Sequence, residues 1–259
     1  MRKIKIVLEY DGSAYSGWQR QPNGTTIQEV LEQRLRTITG KKTAVVGSGR
    51  TDAGVHAEAQ TAHFTTSSAM TGRQFLKALN SLLPGDITVR QVEEVAEDFN
   101  ARRSAARKRY RYTILNRDYP SALHRGRVWF IPHALNLAAM RRAARHLLGE
   151  HDFSAFRAAN TSNRNAVREL FRIDLKKDGD FIHLTLEGSG FLKHMVRIVV
   201  GTLVEVGRGR MSAKQVKDIL DSRDRIRAGP TAPPLGLCLV EVTYPAKKPA
   251  RREKKSSKK

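Results

Sequence analysis

The sequence predicts an α+β fold made of two consecutive βαββαβ halves. Three observations carry that prediction. The chain opens on a strictly alternating apolar pattern, helical periodicities interrupt short alternating runs, and the second half repeats the element order of the first.

Residues 3–10 alternate, with Ile4, Ile6, Leu8 and Tyr10 on one face of a strand. A helix follows. Thr26-x-x-Glu29 is a capping-box signature, Ile27, Val30, Leu31, Leu35 and Ile38 form one apolar stripe, and Gly40 ends it. Short strands are expected at 43–47 and 58–66. A second helix opens at Thr71 with Gln74 three residues on, buries Phe75, Leu76, Leu79 and Leu82, and stops at Pro84-Gly85. Residues 87–95 read as a strand. In the second half, 107–115 is a strand and 137–148 a helix. Residues 167–186 form a hairpin turning at Asp178-Gly179, and 191–206 is a long helix. A shorter helix follows the Ser212-x-x-Gln215 cap, and 237–244 is the last strand. The repeated order is that of two ferredoxin-like halves, 1–104 and 105–246, each with helices on one face of an antiparallel sheet. The other face is free to line a cleft or a nucleic-acid surface. The repeat is one of pattern, not of residues.

The 259 residues carry a formal net charge of +22. The stretch 247–259 holds eight Lys and Arg against Glu253, so the rest of the chain keeps +15. The stretch reads as a basic, disordered tail. A basic body points to a polyanionic partner, and nucleic acid is the usual one. Arg102, Arg103, Arg107, Arg109, Arg141, Arg142 and Arg145 are the expected electrostatic footprint, which implies strong salt dependence of binding. With Cys238 as the single cysteine, no disulfide and no cysteine zinc site can form within the chain. The apolar run 195–206 is broken by Arg197 and Glu205, which argues against a membrane span, and no stretch near the start has the apolar length of a signal peptide. The expected compartment is the cytoplasm.

The chemistry concentrates in Gly47-Ser48-Gly49-Arg50-Thr51-Asp52-Ala53-Gly54-Val55-His56-Ala57, a glycine-held loop between two strands that presents one carboxylate. A phosphate cradle would need a helix N-terminus next, and a strand follows instead. Asp52, His56 and His63 match no familiar metal-ligand spacing. As sequence physics alone, Asp52 is either a catalytic acid or a turn residue bonding its own backbone.

The segment 49–57 resembles the signature of the tRNA pseudouridine synthase A family. Further blocks match in order: Tyr10-Asp11-Gly12 with Gly17-Trp18-Gln19, then Ala101-Arg102, then Lys108-Arg109-Tyr110-Arg111-Tyr112. Phe153-Ser154-Ala155-Phe156-Arg157, Phe191-Leu192-Lys193-His194-Met195-Val196-Arg197 and Gly229-Pro230-Thr231-Ala232-Pro233-Pro234 with Gly236-Leu237 follow. The resemblance spans about residues 3–245 and leaves out the tail. It implies the pseudouridine synthase fold, with two halves flanking a basic cleft. It also implies a homodimer without metal or organic cofactor, acting on uridines 38, 39 and 40 in the anticodon stem-loop of transfer RNA. By similarity Asp52 is the catalytic aspartate and nucleophile, and Tyr110 packs on the flipped target base. Tyr112, on the same strand face, is core or site. Arg197 stands among apolar residues, where an arginine needs a partner; the expectation is that it pairs with Asp52, the alternative that it reaches phosphate. Arg50 is expected to face the RNA, and His194 and Lys193 to lie on the helix surface, the alternative being that they are backbone contacts. Tyr110, Arg50 and Arg197 are thus the expected substrate-binding residues. The rival reading is an RNA-binding protein of the same fold without turnover.

Overall fold

The computed structural model describes residues 1–159 and 165–245. The expected tail, 247–259, lies outside the described residues. The first half contains β1 (Arg2–Tyr10), α1 (Ile27–Thr39), β2 (Val46–Gly47), β3 (His56–Thr66), α2 (Gly72–Leu82) and β4 (Ile87–Val95). The second contains β5 (Arg107–Leu115), β6 (Trp129–Phe130), α3 (Leu137–Arg145), β7 (Gly149–Asp152), β8 (Val167–Asp178), β9 (Phe181–Gly188), α4 (Met195–Gly207), α5 (Ala213–Ser222) and β10 (Leu237–Thr243).

Both halves arrange their strands alike. The first runs β4-β1-β3 with β2 beyond β3, and the second runs β10-β5-β9-β8 with β7 added at its edge. These are the same order, fourth-first-third-second, as a βαββαβ unit requires. The halves do not stop at separate sheets. β10 pairs parallel to the start of β3, Cys238 opposite His56 and Leu239 opposite Ala57, so one ten-stranded sheet crosses the molecule.

Register shows which side is buried. Ile87, Tyr10, Ala57, Leu239, Tyr110, Leu186 and Ile173 stand opposite one another across successive strands. Paired residues share a face, and this row belongs to the core on which the helices pack. The other face carries mutually neutralised charges. Glu187 takes Arg107 at 3.1 Å and Arg109 at 2.9 Å, Arg109 also reaches Glu241 at 2.8 Å, and Arg111 pairs with Glu58.

Local chemistry explains the helix ends. Thr71 with Gln74 and Ser212 with Gln215 form reciprocal capping boxes, Thr26 accepts from the Glu29 N–H, and Gly40 closes α1 in a left-handed conformation. The long second-half helix departs from expectation. It begins at Met195, not at 191, because His194 has φ 62° and ψ 3° and cannot continue a right-handed helix backward. The residues before it form a turn closed by Met195 N–H to the Leu192 carbonyl, 3.1 Å. α4 is buried on nearly every side. Gly201 lets it touch the 229–232 segment: a Cβ there would sit 1.8 Å from the Pro230 carbonyl oxygen.

Candidate active site

The loop joining β2 to β3 is held from below at every turn. Ser48 is fully buried and donates to Gln60 Oε1 at 2.7 Å; Gln60 returns a bond to the Gly49 carbonyl at 3.0 Å. Lys108 Nζ donates to the Ser48 carbonyl at 2.6 Å. Burial, then the charges of Arg102 and Arg168, push the Lys108 ammonium down to about 8. Thr51 Oγ1 bonds the Tyr10 hydroxyl at 2.8 Å, and the Thr51 carbonyl accepts from the Trp18 N–H at 3.1 Å. The loop closes on itself through Val55 N–H to the Asp52 carbonyl, 3.1 Å. The glycines of the 12–17 segment make room for it. A Cβ at Gly12 would lie 2.0 Å from the Val55 carbonyl oxygen, and one at Gly17 2.6 Å from that of Thr51.

The two histidines near the loop serve the backbone. His56 Nδ1 accepts from the Gly12 N–H, and His63 Nδ1 from the Ala101 N–H, each at 3.1 Å. His56 Nε2 faces the carbonyls of Gly126 and Leu235 at 3.0 and 3.2 Å.

Asp52 emerges at the rim of this scaffold and meets the second half there. Arg197 Nη1 donates to Asp52 Oδ2 at 3.1 Å, and Arg197 Nε donates to the Ala232 carbonyl at 2.8 Å. The guanidinium is thus fixed at both ends, and the expected pairing is present. Its setting also explains the Gly229-Pro230-Thr231-Ala232 block. Ala232 N–H bonds back to the Arg197 carbonyl, and Gly229 N–H bonds Thr202 Oγ1 at 3.0 Å, laying this segment along α4. Among the described residues, Asp52 Oδ1 takes no partner, so one carboxylate oxygen is anchored and the other is open.

Tyr110 and Tyr112 share the buried face of β5 but do different things. Tyr112 donates to the Pro233 carbonyl at 2.8 Å and is fully buried, a structural role. Tyr110 packs edge-to-face on Phe191, ring centroids 5.1 Å apart. Its hydroxyl is pushed upward by burial first, then by Tyr10 and Asp52. Tyr110 therefore lies within range of the carboxylate's charge. Arg50 is exposed, and its Nε donates to Gln19 Oε1 at 3.2 Å.

His194 is the residue the sequence reading misplaced. It lies beside the carboxylate, Nε2 3.7 Å from Asp52 Oδ2, whereas Lys193 is on the surface as expected. Burial holds the His194 imidazole below its ordinary value; Asp52 opposes this, and Arg197, Lys193 and Arg225 add to it. No helical pattern announces it, because its place depends on a left-handed residue ahead of the helix. Tyr110, on the core face of β5, and Arg197, on α4, belong to the helix-bearing side of the sheet. The arginine footprint is uneven too: Arg107 and Arg109 are held by Glu187, and Arg141 donates twice to the Leu175 carbonyl.

A family model described as tRNA pseudouridine synthase matches residues 6–102 and 143–245. The chain belongs to the tRNA pseudouridine synthase family. A tRNA pseudouridine synthase A of Citrifermentans bemidjiense is 51% identical over 248 residues, 95% of this chain and 99% of that one. Its counterpart in Myxococcus xanthus is 50% identical over 252 residues, 97% and 95%. That of Acetivibrio thermocellus is 47% identical over 244 residues, 94% and 100%. Among solved structures, a chain in the crystal structure of a Cbf5-Nop10-Gar1 complex gives a TM-score of 0.35 at 12% identity, over 78% of this chain and 45% of that one. That likeness is too slight to carry weight. No helix among the described residues is long and apolar enough to cross a membrane.

Proposed function

We propose that this enzyme isomerises uridine to pseudouridine at positions 38, 39 and 40 of the transfer RNA anticodon stem-loop, working in the cytoplasm as a homodimer. The observation that carries the reading is the Asp52 carboxylate, anchored through Oδ2 by Arg197 at 3.1 Å and left open at Oδ1. Asp52 acts as the nucleophile through that open oxygen, bonding C1′ as N1 leaves and being released when C5 bonds C1′. Arg197 holds the carboxylate in place through the other oxygen. The bond from ribose C1′ to uracil N1 breaks, a bond from C1′ to C5 forms, and the C5 proton is lost while N1 gains one. The atoms balance without a second substrate or redox partner. Holding the detached uracil near C1′ supplies the proximity that lets one carboxylate suffice.

The target base must leave its stack, at a cost of a few kcal/mol on the order of other flipped bases. Tyr110, buttressed by Phe191, packs on the flipped base and returns about 1–3 kcal/mol. Arg50, exposed and steered by Gln19, contacts the RNA. Conversion of an unmodified anticodon arm by the parent and by Asp52→Asn, with binding measured for both, tests the reading. The variant should bind as the parent does and lose about 10,000-fold or more in rate. Equal conversion by both would take catalysis away from Asp52. Binding without conversion by either would favour a turnover-free RNA-binding protein. Sedimentation at micromolar concentration should give a dimer; a monomer alone would remove that part.

A further inference from the structure

We propose that His194 is a positioning residue for the reacting carboxylate, a neutral imidazole whose protonation places a second cation on Asp52 Oδ2 and quenches the carboxylate. The inference rests on Asp52 being the reacting group. Its geometric basis is independent of that.

Two observations put the ring there on purpose. His194 Nε2 lies 3.7 Å from the same oxygen that Arg197 Nη1 bonds at 3.1 Å. That is too long for a direct hydrogen bond and well within range of charge interaction. His194 also holds φ 62°, one of two non-glycine residues in the left-handed region among those described. Such conformations cost energy, persist only when their surroundings impose them, and concentrate at active sites. The turn Leu192–Met195 before it and the Ile198 N–H bonded to its carbonyl at 2.9 Å fix the backbone on both sides.

The surroundings keep the ring neutral at working pH. Asp52 faces it from the β2–β3 loop, Arg197 from α4, Lys193 from the preceding position and Arg225 from the segment after α5. Three cations and burial oppose protonation, and the single carboxylate favours it. Arg225 is itself tied to the carbonyls of Ala228 and Gly229 and to Thr231 Oγ1, so its charge stays in place. With the imidazole neutral, Arg197 is the sole cation on Oδ2 and electron density remains available at Oδ1. When acid adds a proton to the ring, two cations share Oδ2 and the carboxylate becomes a poorer nucleophile. The acid limb of the rate then carries the titration of His194.

Two measurements test this. The first needs no turnover: NMR titration of the His194 ring, assigned by the resonance missing in His194→Asn, in the parent and in Asp52→Asn. Losing the carboxylate should lower the ring's midpoint by roughly one unit, the effect of one charge at this range. Identical midpoints would overturn the proposal. The second is the pH dependence of single-turnover conversion, with enzyme in excess so that RNA affinity drops out. His194→Asn and His194→Gly both accept the left-handed backbone. Both should move the acid limb down by roughly a unit or more, whatever their rate at neutral pH. An acid limb unmoved in both variants would overturn the proposal.

Discussion

The two halves share one strand order and spend it differently. In the second half, β8 and β9 are twelve and eight residues long and meet through a two-residue turn with Gly179 in a left-handed conformation. In the first half, the corresponding β2 is only two residues long, and the chain between it and β3 becomes the loop carrying Asp52. The helices after the third strands differ in the same sense. α2 buries Phe75 and Leu79 on one face, whereas α4 is buried almost all round and holds Arg197 at its first turn. One half gives up strand pairing to present a carboxylate. The other keeps its regularity and supplies the guanidinium that bonds it. Loops can carry chemistry when the scaffold around them is this constrained.

The largest test of that division is to remove the second half's contribution alone. Arg197→Met should leave the Asp52 loop in place and cost about 100- to 1,000-fold in single-turnover rate, as loss of a preorganised charge partner does. Arg197→Lys should fall between, since an ammonium cannot reach both Asp52 and the Ala232 carbonyl as the planar guanidinium does. A Met variant as fast as the parent would break the comparison.

A smaller effect separates packing near the site from packing far from it. Gly201→Ala forces a methyl onto the Pro230 carbonyl and displaces the segment that bonds Arg197. It should lose about 1–3 kcal/mol of stability and part of its turnover together. Leu79→Ala, in α2, should lose about 2–5 kcal/mol yet keep its rate per folded molecule. Thermal unfolding and active-site-normalised rates measure both.

The smallest effect concerns the helix-free face. Burial pushes the Glu187 carboxyl up, but the hydrogen bonds and charges of Arg107 and Arg109 outweigh it and hold the group below the usual carboxylate range. A folded-state value below the unfolded one stabilises above the unfolded value, and the gain is lost as pH falls through the folded one. Glu187→Gln should therefore cost about 1 kcal/mol at neutral pH, since both arginines are partly exposed to screening. The difference from the parent should shrink under acid, with turnover unchanged throughout.

What the sequence made legible follows the range of the interactions involved. Thr71 and Ser212 cap their helices through partners three residues away, and β1 alternates on its own, so these elements can be read locally. Arg197 was legible because a charge among apolar neighbours demands a partner wherever the fold supplies one. The union of the halves was not, since Leu239 opposite Ala57 joins residues from different halves, far apart along the chain. Lys108 reads as one more basic residue of a strand until the Ser48 carbonyl is placed above it. His194 reads as helix surface because a single left-handed residue leaves no periodic trace. The 3.7 Å approach to Asp52 is a product of the assembled fold.

The parallel seam between β10 and β3 also sets an order of events on the ribosome. β3 is complete after about a quarter of the chain has been made, yet the edge that receives β10 stays unpaired until residues 237–243 emerge. Pairings between such distant residues form late, because the connecting loop must close before they are rewarded. The segment that fixes Arg197, 229–232, immediately precedes that strand. A growing chain therefore makes its carboxylate early, its guanidinium later, and the Ala232 carbonyl that fixes the guanidinium last. A copy that stops short of β10 is left with an open strand edge at His56 and Ala57 and without the segment that fixes Arg197.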